Sequence, residues 1–302
     1  MVDVVIGTVT NYDYDKIEPW VVSLKRSGFD GKIALVVYNM KKDTVDRLVA
    51  DGVALFGFQK DDEGNFTYPS DNNFSIMVER FAHIWYFLSK ADEEIEHIIS
   101  TDVKDVIFQK NPSDFFSAFD RKEIFVGCEN FKYKDEPWGK NNLIQSFGPM
   151  LYEKLKDNPI YCAGVIAGKK QAILDLFLNV FLLCRGAPAH VPGGGGPDQA
   201  ALNILLSLDS YKSITNFCSM EHDFVCHAGT TTHAIKSGKG VIGEEYLRDP
   251  SSLYRFNDVM LGKDPIYADD TVYNSYNTPY YIVHQYDRVS EWKDILDRKY
   301  RN

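Results

Sequence analysis

What the chain lacks bounds it first. Its five Cys (Cys128, Cys162, Cys184, Cys218 and Cys226) are odd in number and contain no CxxC pair. That argues against a disulfide framework and against a Cys-based zinc site. Cys226 and His233 also miss the spacing of zinc ligands. Seven scattered His do not make the dense His/Asp cluster of a metal-dependent hydrolase. No basic run opens the chain, since MVDVVIGTV carries no positive charge, so no secretory leader is expected. The longest apolar stretch, residues 172–184, is interrupted by Asp175 and Asn179 and is too short to cross a bilayer. The expectation is a cytoplasmic protein, or a domain trimmed from a longer chain, with no integral membrane segment. Internal repeats, charge runs and linkers of domain-separating length are also missing, so residues 1–302 read as a single domain.

Basic residues are in deficit. Lys and Arg number 33 against 43 Asp and Glu, for a formal net charge of −10. An acidic surface repels nucleic-acid phosphates and anionic membranes, so nucleic acid is not an expected partner. A phosphate-bearing ligand would have to be met by a bound cation or by a few placed Arg and Lys. What the chain does have is length for one large core and many rings, 18 Tyr and 19 Phe, suited either to an aromatic core or to wet, ring-binding surfaces.

The N-terminal half alternates strand and helix patterns. Residues 2–10 read as a buried strand rich in β-branched residues that ends in Gly7 and polar residues, 16–27 carry helical spacing at Trp20, Val21 and Leu24, and 32–38 form a second apolar run. A short helix is expected over 43–51, capped by Asp43 or Thr44, and a third strand over 53–58. This order predicts an α/β fold with a mixed, mostly parallel sheet flanked by helices, with ligands beyond the carboxyl ends of the strands. A polar loop (60–73), a helix (74–89), a fourth strand (96–100) and a strand at 124–127 complete a nucleotide-binding half, 1–128. In the second half, 129–302, the pattern predicts an irregular segment at 130–142 and a helix over 143–155. A strand of small residues at 161–168 and a helix over 170–184 follow. The chain then has four glycines at 193–196, a helix over 198–206, a Thr/Gly-rich loop at 229–243, a last strand at 280–284 and a charged C-terminal helix.

The local sequence HIISTDVKDVIFQKNP carries the chemistry. A buried strand ends, and two carboxylates, Asp102 and Asp105, follow three residues apart. Adjacent carboxylates repel unless a cation lies between them, and Mg²⁺ or Mn²⁺ takes oxygen ligands from one or two carboxylates plus substrate phosphates. A turn-forming Asp102 and a surface Asp105 fit the same spacing. This strand, acid pair, apolar run and Pro112 seven residues beyond Asp105 resemble the DxD region of GT-A glycosyltransferases, of the nucleotide-diphospho-sugar transferase superfamily. One extra residue makes it DxxD here.

The resemblance implies a GT-A fold and metal-dependent transfer of a hexosyl or pentosyl group. The donor would be a nucleoside-diphosphate sugar, a UDP-sugar first, and the acceptor a hydroxyl, expected on a glycan. It implies Mn²⁺ or Mg²⁺ as the metal, with Asp105 as direct ligand and Asp102 reaching the metal or the ribose. Three further segments match in family order. After the first strand, Thr8, Thr10, Asn11 and Tyr12 are candidates for the nucleoside. The run GPDQAALN resembles a DQxxLN helix start, with Asp198 and Gln199 toward the reacting sugar, although Asp198 equally suits a helix cap. His284, after the last strand, resembles the third metal ligand. Arg80 and Gly164 are candidates for donor contact, and Arg288 for the diphosphate. Trp138, Tyr133 and Lys140 are candidates for an acceptor site, and His227 opens a hydroxyl-rich loop, HAGTTTH. The competing readings are a non-catalytic sugar-nucleotide or glycan-binding module on the same fold, and a nucleotidyltransferase. The latter should carry a basic, Gly-rich loop after the first strand, and GTVTNYDYD has one Gly and no base.

Overall fold

A strand buried on both faces needs a run of apolar residues, and strand β1 (Val2–Val9) supplies one at Val4, Val5 and Ile6, with Asp3 and Thr8 only partly covered. Val5 packs with Trp20, Leu24 and Leu48 on one side, while Val4 and Ile6 pack with Phe81 and Phe177 on the other. In this computed structural model, residues 1–69, 75–91, 94–118, 122–192, 195–238, 256 and 258–301 are described.

Helix α1 (Tyr14–Arg26), β2 (Lys32–Val37), α2 (Lys42–Ala50) and β3 (Ala54–Gly57) follow β1, then the small hairpin β4 (Gln59–Lys60) and β5 (Phe66–Thr67). Helix α3 (Ile76–Ser89) leads into β6 (Ile95–Thr101), β7 (Val106–Phe108) and β8 (Ile124–Lys132). Next come α4 (Pro137–Phe147), α5 (Pro149–Leu155), β9 (Pro159–Lys169), α6 (Lys170–Cys184), α7 (Asp198–Leu206) and α8 (Asp209–Lys212). The chain continues through β10 (Thr215–Cys218), β11 (Val225–His227), α9 (Thr232–Lys236), the hairpin β12 (Ile266–Ala268) and β13 (Thr271–Tyr273), β14 (Ile282–His284) and α10 (Ser290–Lys299).

The fold is mixed α/β. A seven-stranded sheet runs β10-β8-β9-β6-β1-β2-β3. Its pairs are parallel except those of β9, which is antiparallel to both β6 and β8. Side chains of α1 and α2 cover one face and those of α3, α6 and α7 the other. A second sheet of three short strands, β11-β14-β7, joins the first through the six-residue path from Thr101 to Val106. No helix among the described residues is long and apolar enough to cross a membrane.

The strand expected at 124–127 runs on to Lys132. The irregular 130–142 segment holds the start of α4, because Pro137 sits in its first turn and the Glu136 side chain accepts from the amides of Trp138 and Gly139. The single helix expected over 143–155 breaks at Gly148, whose φ of 87° a Cβ disfavours, and restarts at Pro149. The 229–243 loop contains α9, which Thr231 caps through the amide of Ala234; residues 239–243 lie outside the described residues. So do Gly193 and Gly194 of the glycine run, residues 70–73 of the polar loop, and Phe74, the expected start of α3. Neither Asp43 nor Thr44 caps α2, whose N-cap position is Lys41.

Burial pushes the Glu136 carboxyl up to about 7, against the lowering effect of the Gly139 amide and with Glu129 adding to the rise. An unfolded Glu titrates near ~4.3. Because the folded value is the higher one, ionisation disfavours the native state, and stability declines as pH rises from that value to about 7. Glu136→Gln keeps an acceptor oxygen and should remove this decline, which is on the order of 3 kcal/mol. Denaturant titrations across this range check it; an unchanged pH profile in the variant contradicts the assignment.

Candidate functional site

The acid pair lies where the two sheets meet. Strand β6 ends at Thr101, whose hydroxyl accepts from the Trp20 indole at 2.8 Å. The amide of Asp102 then donates to the Gly164 carbonyl at 2.7 Å, and the amide of Gln285 donates to the Asp105 carbonyl at 2.7 Å. Between the acids, Val103 is buried under Gly7, where a Cβ would fall 2.3 Å from Val103 Cγ2. His284 ends β14 and is paired with Val106 of β7. Sheet register thus brings three distant segments to one point.

His284 Nε2 lies 3.4 Å from Asp102 Oδ2 and 3.9 Å from Asp105 Oδ2. This nitrogen is buried and has no hydrogen-bond partner among the described residues. One ligand atom from each of the three residues falls within 4.8 Å of the others. Ligands ~2.1 Å from one hard cation stand ~3 Å apart when adjacent and ~4 Å apart when opposite, so the separations fit a shared ion. Two carboxylates and an imidazole suit Mn²⁺ well and Mg²⁺ less well. Gly164 keeps the space open: a Cβ there would lie 2.5 Å from His284 Cε1, 2.8 Å from Nε2 and 2.9 Å from Asp102 Oδ2. Gly164→Ala should therefore weaken Mn²⁺ binding at least ~10-fold by displacing a buried ligand. Mn²⁺ titration followed by electron paramagnetic resonance reads this, and unchanged affinity would remove Gly164 from the site.

Arg80, on α3, organises the acids. Its guanidinium donates to Asp102 Oδ1, to Asp198 Oδ2 at 3.0 Å and to the Ala163 carbonyl at 3.1 Å. Burial raises the Asp102 carboxyl, but Arg80 and His284 together outweigh it and hold the group below the usual carboxylate range. Burial raises Asp105, with Asp102 adding to the rise and His284 opposing it. Burial also raises Asp198, against the pull of Arg80. For His284 burial lowers the value, and the facing Asp102 and Asp105 reverse it to a net rise.

The DQAALN segment has a structural explanation. Asp198 is the first residue of α7, one past the N-cap position held by Pro197, and its carboxylate pairs with Arg80. Gln199 accepts from the Ala163 amide at 3.3 Å and donates to Glu129 at 3.0 Å. Asn203 accepts from the Tyr161 amide at 2.9 Å and donates to the Tyr161 carbonyl at 2.7 Å. The three side chains fasten α7 to β9, β8 and α3.

These groups surround a cavity of about 560 Å³ at the carboxyl ends of β1 and β6. Of the sequence candidates, Thr8, Tyr12, Arg80, Asp102, Asp105, Gly164, Asp198, Gln199, His284, Arg288 and Trp138 line it. Thr10 and Asn11 do not: Asn11 adopts a left-handed turn (φ 54°) and donates to the Asn39 carbonyl, and Thr10 accepts from the Asn39 side chain. Tyr133 is buried, and Lys140 lies over the Tyr152 ring, both away from the cavity. The hydroxyls of HAGTTTH turn inward as well; Thr232 bonds Asp264, and His233 bonds the Pro265 carbonyl.

Sequence reasoning missed Glu129 and Cys162 in the cavity wall. Glu129 is buried, with its carboxyl raised by burial above all; it lies just past the 124–127 strand that the pattern predicts, within the longer β8. His227 is fully buried behind His284, their Nδ1 atoms 3.0 Å apart. Neither protein-family models nor curated proteins give a match to this chain.

Proposed function

We propose that the chain is a GT-A type, metal-dependent glycosyltransferase that takes a nucleoside-diphosphate sugar, most naturally a UDP-sugar, and glycosylates a hydroxyl acceptor. The observation that carries this reading is the Asp102, Asp105 and His284 donor set on the wall of a cavity beyond parallel strand ends. The volume is in the range of small-molecule sites, ~300–1,000 Å³. In this reading Asp102, Asp105 and His284 hold Mn²⁺ or Mg²⁺, which when bound supplies Lewis-acid stabilisation to a departing diphosphate.

The protein's own groups divide the remaining work. Arg80 keeps Asp102 ionised and fixes its rotamer. Lys104 and Arg288, at the cavity wall beside Asp287, meet the diphosphate charge that the acidic surface would otherwise repel. Tyr12 offers a ring to the base and Trp138 a ring to a sugar face. Asp198, held by Arg80, positions α7 and so aims Gln199. That engagement makes Glu129 a second candidate, beside Asp198, for the carboxyl that takes the acceptor proton.

Calorimetric titration of UDP with and without Mn²⁺ tests the reading. Binding should require the metal, and a UDP-sugar should then be hydrolysed slowly. Metal-dependent binding with no turnover of any donor would favour a binding module instead. Binding indifferent to metal would contradict the site.

A further inference from the structure

We propose that Cys162, His227 and His284 form a second metal site, selective for thiophilic divalent ions such as Zn²⁺ or Cd²⁺, and that its occupancy excludes the hard cation from Asp102 and Asp105. Only the exclusion rests on the function proposed above.

The three side chains come from β9, β11 and β14 and are all buried. His284 Nδ1 stands 3.7 Å from Cys162 Sγ and 3.0 Å from His227 Nδ1. All three ligand atoms fall within 4.8 Å of one another. Tetrahedral zinc with ~2.3 Å bonds to sulfur and ~2.0–2.1 Å bonds to nitrogen places neighbouring ligands ~3.3–3.7 Å apart. The sulfur–nitrogen separation already fits, and the two imidazoles need to open by a few tenths of an ångström. Their rings meet nearly perpendicular, at 84°, so both nitrogen lone pairs can point at one position. Cys162 and Glu129 belong to the cavity wall, so an ion has an approach from the cavity and a further oxygen ligand beside it. The thiolate and two imidazoles form a softer donor set than Asp102, Asp105 and His284. On coordination the Cys162 S–H bond breaks, its proton leaves to solvent, and the sulfur pair forms the metal bond. No redox change is involved.

Exclusion follows from imidazole valence. A neutral ring has one protonated nitrogen and one lone pair. A metal on His284 Nδ1 leaves the proton on Nε2, the atom that faces Asp102 and Asp105. The first site then loses its nitrogen ligand and gains a proton pointed into it.

Cobalt is the probe. One equivalent of Co²⁺ added to the full chain should produce a near-ultraviolet thiolate-to-cobalt charge-transfer band. The band should vanish in Cys162→Ser and His227→Gln and persist in Asp105→Ala. It should also persist in Cys226→Ser, because Cys226 packs on the other side of β11 with Tyr280 and Trp292. Stoichiometric Zn²⁺ should release bound Mn²⁺ from the wild type, restoring its free-ion paramagnetic signal, and Cys162→Ser should need several-fold more zinc for the same release, because zinc then acts only by competing for Asp102, Asp105 and His284 themselves. No band in the wild type, or a band that survives Cys162→Ser, overturns the site. Mn²⁺ that stays bound beside zinc overturns the exclusion alone. A cobalt–thiolate band in a protein that never binds Mn²⁺ overturns the proposed function and leaves the thiophilic site standing.

Discussion

Arg80→Met is expected to lower the free energy of unfolding by about 3–5 kcal/mol, the cost of leaving a buried ion pair half complete. The arginine is buried, and its departure strands two carboxylates, Asp102 and Asp198, that it now joins. Methionine fills much of the same volume, so the loss reports charge rather than a cavity. The pH dependence separates the two causes. Without Arg80 both acids titrate higher in the folded state than the ~3.9 of an unfolded Asp. The added instability is therefore full at neutral pH and fades as pH falls and both groups protonate. Urea unfolding at several pH values measures it. A loss under ~1 kcal/mol, the value of an exposed ion pair, would mean that Arg80 does not hold the site together.

Asp105→Ala is expected to act in the opposite sense on stability. Burial and the neighbouring Asp102 both disfavour ionised Asp105, so without a metal its removal should leave the melting temperature unchanged or raise it. Metal-stimulated turnover should fall by at least ~10²–10³-fold, the scale of losing charge stabilisation at a leaving group. The pairing of preserved fold with lost metal response distinguishes a ligand from a structural acid. Unchanged metal-stimulated turnover would remove Asp105 from the site.

The parallel core was readable because strands buried on both faces carry apolar residues in unbroken runs, as at Val4, Val5 and Ile6 of β1 and from Ile33 to Val37 of β2. Asp102 was readable for a related reason: where such a run stops at a pair of acids, the strand end is marked. Other features depend on pairing that no local pattern shows. Strand β9 runs antiparallel between β6 and β8, which sets Gly164 beside Asp102. The second sheet sets His284 opposite Val106 and His227 opposite His284. Asp198 shows the limit of motif reading. Its place at a helix start was legible, but its partner, Arg80, lies 118 residues away. Glu129 was lost for a simpler reason. The apolar run in β8 breaks at Gly127, where a Cβ would meet His227 Nε2 at 2.5 Å, so the glycine is a close approach rather than a strand end. Cys162 and His227 escaped because metal-ligand spacing is recognised only when ligands are close in sequence.

The most direct measurement is hydrolysis of a panel of sugar nucleotides by the wild type and by Asp105→Ala, each with Mn²⁺ and with a chelator. The account predicts that at least one nucleoside-diphosphate sugar is hydrolysed by the wild type with Mn²⁺ and that chelator or the substitution abolishes it. Hydrolysis that continues in chelator, or in Asp105→Ala with Mn²⁺, would contradict it.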